Sequence, residues 1–171
     1  DSTVTFLDLA CTGARIRGDL AANGDPVDGP DGEGGLLTPY SGIEAADPQL
    51  PPQVDELASL AGDRRVEALV LSAGANDLRL PEILRDCLRP GNDCSTGSAL
   101  ALFQARLPLL AGRYDELSAR VAAAGVAGDR VLALEYPDFT RNDSGAPDLS
   151  CVAGGAVTAA EASWLGDTVL P

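Results

Sequence analysis

Short apolar runs alternate with amphipathic stretches along the chain, and this alternation limits the possible folds more than any other feature. The strand-like runs are rich in Val and Leu and are followed by turn-forming residues; they span residues 4–10, 66–72 and 129–136. The stretches with apolar residues every three or four positions span about 51–61, 98–124 and 158–170. Strands that alternate with helices predict an α/β fold, in which helices cover both faces of a parallel sheet.

Four residues in the helical stretches lead to more specific expectations. Gly62 should end the first helix. Pro108 falls inside the longest stretch and should kink or split that helix, because its ring clashes with the preceding turn and it lacks an N–H. Thr158 or a neighbour is expected to cap the last helix, with Glu161 in its first turn.

The composition is that of a globular protein with a substantial core. Of the 171 residues, 45% are apolar and 22% are charged, so we expect a single domain spanning residues 1–171. A Gly- and Asp-rich segment at about 18–35 is predicted to be an irregular surface loop. Residues 17–19 spell the adhesion tripeptide Arg-Gly-Asp, but so short a match is expected by chance and we assign it no role.

The charge balance is strongly acidic and argues against two classes of partner. The chain has 12 Lys+Arg against 26 Asp+Glu, a formal net charge of −14 at pH 7. Such a surface repels phosphate backbones, so nucleic acid is not an expected partner. No apolar run approaches the ~20 residues that span a bilayer, so no membrane span is expected.

Three residue types are absent from the chain, and each absence restricts its chemistry or its origin. Without His there is no imidazole base, acid or metal ligand. Without Lys, all 12 cations are Arg. Without Met there is no initiator residue, so we expect a processed or cut end and a chain that is part of something larger.

The cysteines point to an exported protein rather than to a metal site. Cys87 and Cys94 bracket Leu-Arg-Pro-Gly-Asn-Asp, a turn-forming stretch that would bring the two sulfurs together. We predict a disulfide here, worth about 2.5 kcal/mol in the chain-entropy model, and an extracytoplasmic location. The alternative is two unrelated thiols. Since the chain lacks both a C-x-x-C motif and His, neither a metal nor another cofactor is expected.

Two residues at predicted strand ends are candidates for binding a ligand together. Asn76 lies in Gly-Ala-Asn-Asp, directly after the strand at 66–72, and carries a neutral side-chain N–H donor. Gly13 follows the strand at 4–10, where a bare backbone N–H can approach a ligand closely. Converging neutral donors are the requirement for an oxyanion hole. The alternative is that both are ordinary turn residues.

These residues also carry a resemblance to a known family. Residues 6–14, Phe-Leu-Asp-Leu-Ala-Cys-Thr-Gly-Ala, resemble the second conserved block of the SGNH (GDSL-type) hydrolases, in their secreted bacterial esterase and lipase branch. Residues 71–78, Leu-Ser-Ala-Gly-Ala-Asn-Asp-Leu, resemble the third block, G-x-N-D. The loop at 87–94 and the Tyr-Pro-Asp turn at 136–138 resemble further features of that branch, so the resemblance covers most of the chain.

The resemblance implies a fold and a role for each donor. The Gly13 backbone and the Asn76 side chain would each donate an N–H to the oxyanion of an ester tetrahedral intermediate. The fold would be a flavodoxin-like, three-layer α/β/α sandwich with a five-stranded parallel sheet. Cys11 and Cys151 would each pair with a cysteine in an absent end of the protein.

The same fold implies a strand that this sequence does not contain. The strands at 4–9 and 66–72 would not be neighbours, because a central strand that carries the nucleophile lies between them. Neighbouring strands are about 4.8 Å apart, so these two would be roughly 9–10 Å apart. Direct pairing of the two strands would contradict the interpretation.

Two family motifs are missing from the sequence. The Gly-Asp-Ser block with the nucleophile and the Asp-x-x-His block with the base do not occur, and Ser72 has no base to activate it. We therefore interpret the chain as the central part of a secreted ester hydrolase, inactive alone. Its partners would be an ester substrate and the missing N- and C-terminal segments of the same protein.

Two other interpretations remain open. The chain could be a non-catalytic exported binding or structural module that kept the SGNH fold and lost the triad. It could also be an acidic surface protein that binds calcium through the loop at 18–35.

Overall fold

The computed structural model describes residues 5–11, 13–19, 34–40, 49–136, 138–146, 148 and 157–170. The chain divides into two compact units. The first unit comprises Asp1–Gly74 and Ala111–Leu134, and the second comprises Ala75–Leu110 and Glu135–Pro171.

The first unit contains a two-stranded parallel sheet, which confirms the α/β class. Strand β1 spans Leu69–Leu71 and strand β2 spans Val131–Ala133, with Val70 opposite Leu132. A backbone hydrogen bond of 2.8 Å from Leu134 N–H to the Leu71 carbonyl extends the pairing past β2. Both strands are shorter than the apolar runs that predicted them, and a 3₁₀ turn occupies the three residues before β2.

The predicted strand at 4–10 is wrong over its described residues. Residues 5–10 form no strand, and the Phe6 side chain is 85% exposed. A strand is stable only when a neighbour takes up its backbone hydrogen bonds. No such neighbour pairs with this segment among the described residues. The direct pairing with β1 that would contradict the central-strand expectation is therefore not found there, while Val4 lies outside the described residues.

Helix α1 spans Gln53–Ala61 in the first unit and matches its prediction. Its apolar face is buried, and Gly62 ends it with a left-handed φ of 55°. The first two N–H groups of the helix, from Gln53 and Val54, donate to the carbonyls of Gly35 and Leu36 at 2.8 and 3.2 Å. These bonds satisfy helix N–H groups that have no partner within the helix.

Helix α3 spans Ser98–Ala123, within one residue of the predicted end. Pro108 lies inside it but does not split it. The division between the two units falls after Leu110, so each unit contains about half of this helix.

The core of the second unit is built around a disulfide. Helix α2 spans Leu80–Cys87 and was not predicted; helix α4 spans Ala159–Trp164 and continues as a π-helical turn, Leu165–Val169. The core cluster comprises Leu78, Leu80, Ile83, Cys87, Cys94, Ala99, Phe103, Val157, Ala162, Leu165 and Val169. None of the helices in the described ranges is both long and apolar enough to cross a membrane.

Candidate functional site

Asn76 lies on a tight turn between β1 and α2. Gly74 begins this turn with a φ of 109°, a backbone conformation that side chains larger than Gly disfavour. The Asn76 carbonyl accepts a hydrogen bond from Arg79 N–H at 3.1 Å, and the Ala75 carbonyl accepts one from Leu80 N–H at 2.9 Å. Asn76 is half-buried. A turn thus begins three residues after the carboxyl end of β1, as the sequence predicted.

Arg79 completes this turn in an unusual conformation. Its φ of 59° is left-handed, and no other non-glycine residue in the described ranges has a positive φ. Such a conformation costs about 1–2 kcal/mol for an L-residue. Arg79 Nε donates to Glu82 Oε1 at 3.0 Å, and the Arg79 carbonyl accepts the N–H groups of Glu82 and Ile83. These contacts join the turn to the first turn of α2.

Tyr114 holds the chain just before the turn. Its hydroxyl donates to the Ala73 carbonyl at 2.6 Å, within the first unit. Tyr114 lies on α3 and fixes the orientation of the peptide that precedes Gly74. The sequence suggested only that Tyr114 belongs to the apolar face of a helix, because nothing local indicates a partner 41 residues away.

Gly13 also lies in a turn. Its φ is 78°, and Ala14 N–H donates to the Cys11 carbonyl at 3.2 Å. Thr12 lies outside the described residues. Gly13 belongs to the first unit and Asn76 to the second, so the convergence of their N–H groups stays a prediction.

The segment that follows β2 contains a carboxylate network in the second unit. Asp138 Oδ1 accepts hydrogen bonds from the hydroxyl and N–H groups of Thr140, and Asp138 Oδ2 lies 3.1 Å from Arg141 Nε. The Thr140 hydroxyl lowers the pKa of Asp138 most; burial opposes this, and the Arg141 charge adds to the lowering. Asp138 is therefore held as a carboxylate.

The same network joins the π-helical turn after α4. Arg141 also forms an ion pair with Asp167. A Cβ atom at Gly166 would lie 2.5 Å from Thr140 Oγ1, so only glycine allows this close approach. Sequence reasoning missed the network, since Asp167 is 26 residues away from Arg141 in the chain.

The two charged side chains of the Arg-Gly-Asp tripeptide form ion pairs within the first unit. Arg17 contacts both carboxylate oxygens of Glu116 at 3.0 and 2.9 Å. Asp19 pairs with Arg15 at 3.0 Å and with Arg113 at 2.8 Å. Both charged side chains of the tripeptide are thus engaged internally. The two described residues at the other end of the predicted loop, Gly34 and Gly35, are buried, while residues 20–33 lie outside the described ranges.

The structure confirms one of the sequence predictions for the cysteines. Cys87 and Cys94 form a disulfide. Cys11 carries a free thiol, while Cys151 lies outside the described residues, so the expected partners of both cysteines stay a prediction. Within the described ranges, no three His, Cys, Asp or Glu side chains are grouped so that they could hold a metal ion.

Comparisons with models of protein families, with curated proteins and with solved structures find no match to this chain.

Proposed function

We propose that this chain is the central part of a secreted serine ester hydrolase of the SGNH type. Its role is to supply the oxyanion hole, through the backbone N–H of Gly13 and the side-chain N–H of Asn76. The nucleophilic Ser and the base His belong to polypeptide outside these 171 residues, since the chain has no His. The observation that carries the proposal is the Asn76 turn, held at the carboxyl end of a parallel strand.

The chemistry of the reaction explains why neutral donors suit this position. When a hydroxyl attacks an ester carbonyl, negative charge develops on the carbonyl oxygen. Fixed N–H donors stabilise that charge without reorganising during the reaction, and each contributes a factor of about 10²–10³ in rate. Within the second unit, the hydrogen bonds from Leu80 N–H to the Ala75 carbonyl and from Arg79 N–H to the Asn76 carbonyl support such rigidity.

The two-stranded sheet exposes apolar side chains, and this favours a larger, covered sheet in the complete protein. Val70 and Leu132 are register partners and lie on the same face, and Leu134 follows two residues further along. Their side chains are 56%, 54% and 56% exposed. A three-layer α/β/α sandwich would bury this face under helices, and an added central strand would pair with β1 and with residues 5–10.

A secreted location is part of the same proposal. The Cys87–Cys94 disulfide supports it, because disulfides persist mainly in oxidising compartments.

The test is ester hydrolysis by the longest natural polypeptide that contains these residues. We expect it to hydrolyse p-nitrophenyl acetate and the 171-residue chain alone to be inactive. Asn76→Ala should lower kcat by about 10²–10³ with little change in KM, because the lost donor acts in the transition state. Asn92→Ala, at an exposed Asn of the disulfide loop, is the matched control and should retain activity.

Two results would favour the alternative, an exported binding or structural module that lost the triad. One is a long polypeptide without a Gly-Asp-Ser and an Asp-x-x-His motif. The other is full hydrolytic activity in the Asn76→Ala variant.

A further inference from the structure

Glu161 is a buried carboxylate that connects α4 to the disulfide loop. Its side chain is 1% exposed. Oε2 accepts hydrogen bonds from the N–H and the hydroxyl of Thr158, both at 2.8 Å, and Oε1 accepts one from Cys94 N–H at 3.0 Å. Burial raises the pKa of Glu161, but these donors outweigh it and hold the pKa below its usual value. The carboxylate is thus solvated by protein N–H and O–H groups in place of water.

Two of these bonds belong to the helix itself and the third does not. Thr158 and Glu161 form a capping box at the start of α4. Cys94 is 67 residues away in sequence and is covalently bonded to Cys87 at the end of α2. Cys94 therefore links α4 to α2, through its N–H on one side and its sulfur on the other.

The disulfide is inaccessible while α4 is in place. Cys87 and Cys94 are both 0% exposed, in the core cluster that includes Ala162, Leu165 and Val169. Thiol–disulfide exchange requires a thiolate to reach a sulfur atom. A reductant in solution cannot make this attack unless part of the core opens.

We propose that α4 is a latch that controls access to the Cys87–Cys94 disulfide. The Glu161 carboxylate releases the Cys94 N–H, α4 leaves the core, and only then do external dithiols reach the sulfurs. This inference does not depend on the proposed hydrolase function.

The exchange with a dithiol balances in two steps. One thiolate of the reductant attacks a cystine sulfur, forms a mixed disulfide and displaces the other cysteine as a thiolate. The second thiolate of the reductant then displaces the first cysteine and leaves as a cyclic disulfide. The reductant loses two electrons, and each cysteine takes up one proton. The loop is then no longer closed, so Cys94 N–H is not held against Glu161 and the latch does not re-form.

The first test uses the unmodified 171-residue protein with dithiothreitol. Alkylation of Cys87 and Cys94, read by mass spectrometry, reports reduction. The single Trp, Trp164, packs edge-on against Phe103 with ring centroids 6.3 Å apart, so its fluorescence reports release of α4. We expect the reduction rate to level off as dithiothreitol increases, and Trp164 emission to change no later than alkylation. Reduction with native Trp164 emission, at a rate proportional to reductant at all concentrations, would overturn the proposal.

The second test compares three variants. Glu161→Gln should be reduced about tenfold faster or more, because it loses the charge-assisted hydrogen bonds. Thr158→Ala removes the cap but keeps the bond to Cys94, so its rate should be intermediate. Glu56→Gln alters a first-turn acid of α1 and should leave the rate unchanged. A wild-type reduction rate in Glu161→Gln would contradict the proposal; if that variant does not fold, the first test still decides.

Discussion

The turns at 74–80 and 11–14 each carry one of the proposed oxyanion donors, but the structure holds them differently. The Asn76 turn follows a paired strand, leads into a helix and has hydrogen bonds at both ends. The Gly13 turn follows residues 5–10, which are largely exposed and pair with no strand among the described residues. The first turn is therefore held within this chain, whereas we propose that a neighbouring strand of the longer polypeptide fixes the second.

The glycines that begin or shape these turns offer the strongest contrast. Gly74→Ala should lower the free energy of unfolding by about 1–2 kcal/mol, because the turn holds its positive φ and an L side chain is strained there. Gly13→Ala should cost less than about 0.5 kcal/mol, because the exposed chain before it can readjust. Urea denaturation of both variants gives the two values. Equal costs would mean that the two turns are held equally well.

The sequence predicted those parts of the fold that depend on neighbouring residues. Helix α1 after a proline, the N-cap at Thr158 and the disulfide across a turn all follow from local patterns. Helix α2 was missed because its N-cap is Arg79 in a left-handed conformation, without the usual Ser, Thr, Asp or Asn.

Non-local contacts explain the remaining differences. The run at 4–10 has the composition of a strand, but composition cannot supply the partner that its backbone requires. The position of Asn76 after a strand could be predicted because it depends on neighbouring residues. The hydrogen bond from Tyr114 to the Ala73 carbonyl could not, because these two residues are 41 positions apart.

Tyr114→Phe tests how much that hydrogen bond contributes to the Asn76 turn. We expect a loss of about 0.5–1.5 kcal/mol in the free energy of unfolding, the usual net contribution of one hydrogen bond. In the longer polypeptide, kcat for ester hydrolysis should fall more than KM rises, because the variant displaces a donor that acts in the transition state. Tyr136→Phe, at a tyrosine that is 38% exposed, is the control for loss of a tyrosine hydroxyl and should leave the free energy of unfolding nearly unchanged. An unchanged kcat in Tyr114→Phe would contradict a role for Tyr114 in positioning the Asn76 turn.

The smallest effect is expected in the exposed segment before Gly13. Phe6→Ser should change the stability of the 171-residue chain by less than about 0.5 kcal/mol, because Phe6 is 85% exposed. In the longer polypeptide the same substitution should destabilise by several times as much, since the helices that cover the completed sheet would bury the ring. Thermal or urea unfolding of both pairs checks this. Equal small effects in both would mean that no strand covers the segment.

The most direct test of the central claim is a crystal structure of the longer polypeptide inactivated by an alkylphosphonate ester, whose phosphoryl oxygen stands in for the ester oxyanion. We predict that this oxygen lies about 2.7–3.1 Å from both the Gly13 backbone nitrogen and Asn76 Nδ2, the range for oxyanion donors. An oxygen that contacts neither nitrogen, with Asn76 bonded elsewhere in the protein, would contradict the account.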